Sequence, residues 1–266
     1  MRALLASPLG FVIGVSLGAL GGGGSILAVP ALVYAAGQTP KHATTTSLVL
    51  VGITAVLGIV PHWRAHRVRF GAGTIFGLAG VGGSLLGSHW NKAADPNALL
   101  LAFAGLMLVA AFAMWRRLEA ASPPVLRSLS SAAAPAGSTV RVDLRTAIKV
   151  IVAGSVVGLL TGFFGVGGGF VIVPALVLAL GFTMPEAVGT SLLVITINSV
   201  VAMTTRLQGG AIEWGTVIPF TIASLIGVVV GSRLASTRDS SSLQRWFIGL
   251  LVMVAIYTAV RSAVAL

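Results

Sequence analysis

The stretch GVSLGALGGGGSILAVP, Gly14–Pro30, returns as GLLTGFFGVGGGFVIVP, Gly158–Pro174, at a shift of 144 residues. Laid over each other at that shift, Gly10–Gly37 and Gly154–Gly181 agree at 14 of 28 positions. The same shift pairs Thr46-Ser47-Leu48 with Thr190-Ser191-Leu192, and Gly87-Ser88 with Gly231-Ser232, without a gap. Self-similarity at one fixed period marks an internal duplication. The chain therefore reads as two copies of one unit.

Each copy lies in strongly apolar sequence. The 266 residues are 56% hydrophobic and 9% charged, with a mean hydropathy of +1.00, whereas soluble domains carry about a quarter charged residues. Leu99–Met114, Ile151–Phe164 and Ile248–Val260 hold no charged side chain, and with their flanks they approach the roughly 20 residues that span a bilayer. The net charge of +11 sits in short connections between such runs, where it orients a membrane protein; nucleic acid is not expected as a partner. The absence of Cys excludes disulfides, thiolate metal sites and cysteine nucleophiles. Met1-Arg2 and the apolar stretch after it look like a signal peptide, but a segment with a copy in mid-chain belongs to the fold.

The expected fold is an all-α integral membrane protein of two homologous four-segment halves, the first segment of each broken or re-entrant at its glycine run. In the first half the segments are about 4–37 (interrupted at Gly21–Gly24), 43–62, 71–90 and 97–115; in the second, about 147–181 (interrupted at Gly165–Gly169), 186–205, 214–234 and 244–263. This gives a first transmembrane repeat over 1–116, a cytoplasmic linker over 117–145, rich in Ser, Ala, Pro and Arg, and a second transmembrane repeat over 146–266. A helix of 30 or more residues would reach roughly 45 Å, beyond the roughly 30 Å hydrocarbon core, so the interrupted segments must break or fold back. Charge does not say how. With one crossing per interrupted segment, the side holding the linker carries 12 of the 17 Lys and Arg; with re-entrant segments and inverted halves it again carries 12.

Unwound backbone at membrane depth persists only where protein, water or a ligand satisfies its polar groups. Glycines let successive N–H groups turn toward one point, and the helix that resumes offers its positive N-terminal end there. Gly21, Gly22, Gly23, Gly24 and Ser25, with Gly165, Gly167, Gly168 and Gly169, are thus the expected substrate-binding residues for a small anion. Thr46, Ser47, Thr190 and Ser191 begin the following spans, and Asn198 places a side-chain amide near the middle of another, where it needs a partner or a polar cavity. They complete the candidate site. Gly14, Gly18, Gly158 and Gly162 follow the small-xxx-small spacing of helix packing instead.

Other features carry less. His62-Trp63-Arg64-Ala65-His66 reads as a solvated basic loop rather than a metal site, since it has no acidic or thiolate companion. Glu186 reads as a favourable acid at a helix N-terminus, with proton coupling as the alternative. The glycine runs lack the strand and the Lys-Ser/Thr ending of a phosphate loop, so no nucleotide, metal or other cofactor is expected. A membrane-embedded enzyme is disfavoured because no acidic pair or His cluster lies at membrane depth.

The two copies of G-x-x-x-G-x-x-G-x-G-G-x-x-x-x-x-P, each followed by a Thr-Ser pair, resemble the sulfite exporter TauE/SafE family, also called the four-toluene sulfonate uptake permease family. The resemblance covers nearly all of the chain outside the linker. It implies a multi-pass inner (plasma) membrane permease that moves sulfite, organosulfonates or related organic anions, driven by a coupling ion such as proton or sodium. The positions that match the motif are Gly21, Gly23, Gly24 and Pro30 with Gly165, Gly167, Gly168 and Pro174; Ser25 against Gly169 is a departure that makes the two copies unequal. The expectation is a secondary transporter of small anions working by alternating access between the repeats, with a passive anion channel as the alternative. The lipid bilayer and a possible second copy in a homodimer are its other expected partners.

Overall fold

The computed structural model describes residues 2–34, 37, 40–91, 96–120, 144–164, 169–206 and 214–264. These residues contain no strand. The chain runs through α1 (Arg2–Leu20), a 3-10 turn at Gly21–Gly24, α2 (Ser25–Tyr34), α3 (Pro40–Arg64), α4 (Phe70–Asn91) and α5 (Pro96–Ala120). It continues through α6 (Leu144–Phe164), α7 (Gly169–Leu178), α8 (Met184–Arg206), α9 (Trp214–Thr237) and α10 (Ser240–Val264). Helices α5 and α6 extend into the stretch assigned to the linker, because Arg116-Arg117-Leu118-Glu119-Ala120 are good helix formers; 121–143 lie outside the described residues.

Eight helical stretches among the described residues are long and apolar enough to cross a membrane. Their outward faces agree with that reading: Leu78, Leu85, Val109, Phe112, Ile226 and Met253 are exposed, which water would penalise and lipid would not. Trp63, Trp90, Trp115 and Trp246 are exposed near helix ends, where the amphipathic indole suits the bilayer interface. The chain is a multi-pass membrane protein.

Two glycine seams hold the helices together. Along α1, Gly10, Gly14 and Gly18 lie against the backbone of Phe220, Ser224 and Val228 on α9, while Gly227 and Gly231 lie against Phe11 and Val15. Along α6, Gly154, Gly158 and Gly162 lie against Phe76, Gly80 and Ser84 on α4, while Gly83 and Gly87 lie against Ser155 and Leu159. Shifting either set by 144 residues yields the other. A Cβ built on Gly10 would stand 2.7 Å from the Phe220 carbonyl oxygen, and one on Gly154 2.5 Å from that of Phe76. Such separations admit no side chain, so the axes approach as closely as bare backbone allows.

The register of these contacts fixes helix directions. Numbers rise together along α1 and α9, and along α4 and α6, so each pair is parallel. Ser224 meets both Gly14 and, through its hydroxyl, Thr54 on α3 at 3.2 Å. Farther along, Gly18 meets His62, so α1 and α3 point the same way. On the other side, Gly73 and Gly77 of α4 meet Leu193 and Ile197 of α8, so α4, α6 and α8 share one direction. The chain must return between α1 and α3 and again between α6 and α8, and the ten-residue helices α2 and α7 lie in those intervals.

Candidate functional site

The first glycine run is a sharp reversal. Gly21 has φ +61°, a left-handed conformation that glycine adopts without penalty. In a straight helix Gly24 would stand roughly 10 Å beyond Leu17; instead a Cβ on Gly24 would collide with the backbone of Ser16 and Leu17. The chain folds onto the end of α1. All four glycines are buried.

The turn is held by side chains from distant segments. Gly22 N–H donates to Ser191 Oγ at 3.2 Å, Ser25 Oγ–H donates to Gly22 O at 2.7 Å, and His62 Nε2 lies 3.1 Å from Gly18 O. The two halves also touch here. A Cβ on Gly22 would enter the backbone of Gly169, and one on Gly169 would meet Ser25 Oγ and, at 2.8 Å, Gly22 O. The N-terminal ends of α2 and α7 therefore abut, and α2 leads to α3 as α7 leads to α8.

One phenylalanine packs against described residues at each break. Phe103 of α5 packs its ring on Phe164 at 5.6 Å and on Phe170 at 4.9 Å, on either side of the second break. Phe247 of α10, its counterpart at the 144-residue shift, sits over the first, with Cε2 2.8 Å from the position of a Cβ on Gly23. At Gly23 the neighbour is thus an aromatic ring, where the sequence suggested a ligand.

The remaining candidates separate. Thr46 and Ser47 are buried on α3. Thr190 Oγ1 accepts from Arg69 N–H at 3.1 Å, so it anchors the 65–69 connection to α8. Asn198 has a buried Oδ1 without a hydrogen-bond partner; a half-turn of the amide would present its N–H2 there instead. Gly165, Gly167 and Gly168 lie outside the described residues.

Two charged features resolve. Glu186 closes a capping box on Thr183, accepting at Oε2 from its N–H at 3.1 Å and its hydroxyl at 3.0 Å. Its Oε1 accepts from Arg69 Nη2 at 2.6 Å and Nε at 3.0 Å. His62 corrects an expectation: it is not in a solvated loop but on the last turn of α3, 1% exposed, because α3 runs past Pro61 to Arg64. Among the described residues, no three His, Asp or Glu side chains gather as a metal site would require. Sequence reading missed His62, Phe103 and Phe247; the fixed shift could have found the two rings, since it pairs them.

The family model described as Sulfite exporter TauE/SafE matches residues 6–258. A Xylella fastidiosa protein named "Probable membrane transporter protein" is 35% identical over 258 residues, 95% of this chain and 93% of that one. The Bacillus subtilis "Probable membrane transporter protein YunE" is 25% identical over 248 residues, covering 89% and 88% of the two chains. No solved structure matches.

Proposed function

This chain belongs to the sulfite exporter TauE/SafE family of membrane transporters, and from that premise we propose that it is a secondary transporter of small anions, sulfite or organosulfonates foremost. The observation that carries the reading is the meeting of α2 and α7 at Gly22 and Gly169. The first N–H groups of a helix have no acceptor in their own helix, and their partial positive charge favours an anion. Two such ends facing each other within the bilayer offer an anion a neutral, donor-rich site. The Asn198 amide adds a side-chain donor, while the one hydrogen of Ser25 Oγ is committed to Gly22 O. A coupling ion, proton or sodium, supplies the driving force.

On this reading α2 and α7 are re-entrant segments and the halves are inverted repeats, an arrangement common among transporters. The helix directions favour it: α1 and α3 run one way, α6 and α8 the other. The end formed by 65–69, Arg117, 181–186 and 238–245, held together by Arg69 on Glu186, Arg117 on Val177 O and Ser240 on Met184 N–H, is then the cytoplasmic, arginine-rich end. Because each seam joins helices of different halves, alternating access moves the α1–α9 and α4–α6 pairs about α3 and α8.

Reconstitution in vesicles tests the function. Labelled sulfite should enter faster when unlabelled sulfite is preloaded; flux without that acceleration indicates a channel, and no anion flux overturns the reading. The Cys-free chain also allows a clean topology test. A Cys at Ser130 should be protected from impermeant maleimide in intact cells and a Cys at Ala265 labelled, whereas protection of Ala265→Cys would sink the inverted arrangement.

A further inference from the structure

The hydrogen-bond ladder of α1 stops at Leu20. The first rung missing beyond it is the one from Gly22 N–H to Gly18 C=O, four residues back. Neither group is left bare. The severed donor goes to Ser191 Oγ at 3.2 Å on α8, and the severed acceptor is taken by His62 Nε2 at 3.1 Å on α3. Both side chains are buried, Ser191 fully.

We propose that His62 and Ser191 are paired positioning residues: each holds one end of the same broken backbone hydrogen bond, and together they keep α1 open so that the start of α2 faces the meeting point of the two halves. Its consequence for anion handling rests on the transporter reading above, but its geometry does not.

The chemistry of each group is determinate. A carbonyl only accepts, so His62 must carry its hydrogen on Nε2, leaving Nδ1 as a buried lone pair without a partner. The Ser191 hydroxyl donates to Val188 O at 2.8 Å and so accepts from Gly22 N–H with its oxygen. With its one hydrogen committed, Ser191 in this state supports the break rather than donating to an anion. In an apolar interior each unpaired backbone group costs several kcal/mol, so an unsupported break would heal. With both ends satisfied elsewhere, the open and continuous forms of α1 differ by an exchange of partners, which a transport cycle can reverse. At the 144-residue shift Ser191 corresponds to Ser47 but His62 to Arg206, so the second half carries no imidazole at the equivalent position.

The test is hydrogen exchange on segment 18–25 of the full chain in lipid nanodiscs, for wild type, H62L, H62Q, S191A and the double variant H62L/S191A. Loss of one hydrogen bond is worth about fivefold. Exchange in H62L and S191A should therefore shift by about fivefold in the same direction. The double variant should shift no further than either alone, because one loss already lets Gly22 return to Gly18. Gln, whose amide reaches the Nε2 position, should restore wild-type exchange, whereas H62N, too short to reach, should behave as H62L and serves should the leucine variant misfold. Additive shifts, a shift in only one single variant, or H62Q behaving as H62L would overturn the pairing. Sulfite counterflow on the same variants separates the two readings: a wild type that moves no sulfite counts against the transporter assignment, while the exchange pattern still decides the pairing.

Discussion

Glycine does opposite work in the seams and in the break at Gly21–Gly24. Along α1, Gly14 and Gly18 sit in regular helix, and what requires them is a foreign backbone: the carbonyls of Ser224 and Val228 occupy the space a side chain would need. Three residues beyond Gly18, Gly21 is required by its own backbone, whose φ of +61° ends the helix, and the freed polar groups are claimed by Ser191 and His62. In a seam, glycine brings two intact helices together; in the break, it takes one apart. Neighbouring glycines in one membrane segment can thus answer to unrelated constraints, one of volume and one of hydrogen bonding.

The widest separation should come from Gly14→Val and its counterpart Gly158→Val. Overpacking costs about 1–3 kcal/mol in a deformable core and more where backbone cannot yield, so both variants should lose monodisperse folded protein on size-exclusion chromatography. Normal yields would mean that the seams are not close-packed. Next comes Gly22→Ala, whose Cβ would push against Gly169 without touching a seam. Its sulfite affinity, normalised to folded protein, should fall at least about tenfold, the scale of a 1.4 kcal/mol displacement, and unchanged binding would remove the Gly22–Gly169 contact from the site.

Gly23→Val sharpens the contrast inside the break. Its obstacle is the Phe247 ring, so binding should fall by about fivefold, for a strain near 1 kcal/mol, and return to within about twofold in Gly23→Val/Phe247→Leu. Failure to recover would put the ligand, not the ring, beside Gly23. The smallest effect belongs to Glu186→Gln, in the first turn of α8. Arg69 is 52% exposed, so its pair with Glu186 is screened by solvent; with the weakened cap the loss should be about 0.5–1.5 kcal/mol, seen as a slightly lower melting temperature and a smaller difference at high salt. Loss of proton-driven uptake in that variant would make Glu186 a coupling carboxylate.

Much of this contrast is legible in sequence. The span read over 43–62 is α3 at Pro40–Arg64 and that over 71–90 is α4 at Phe70–Asn91, because apolar length alone sets such elements. Gly14, Gly18, Gly158 and Gly162 showed their packing role through spacing. Helix direction was not legible, since Lys and Arg divide equally well under two topologies; that information sits in long-range contacts such as Gly14 with Ser224. His62 was obscured by Arg64 and Arg67, which make its surroundings look like a loop. Ser191 could be placed on the right helix turn, but its partner lies 169 residues away, and no local pattern encodes that pairing.

The seams also bear on how the chain is made. Gly14 must wait for Ser224, 210 residues farther along the chain. At about 5–20 residues per second of synthesis, α1 enters the membrane roughly 10–40 s before its partner exists. During that interval its glycine face is a bare groove in lipid, open to α helices of other nascent chains. The first half therefore cannot complete its own packing, and a ribosome that stops between α5 and α9 leaves a product whose earliest helix is still unmatched.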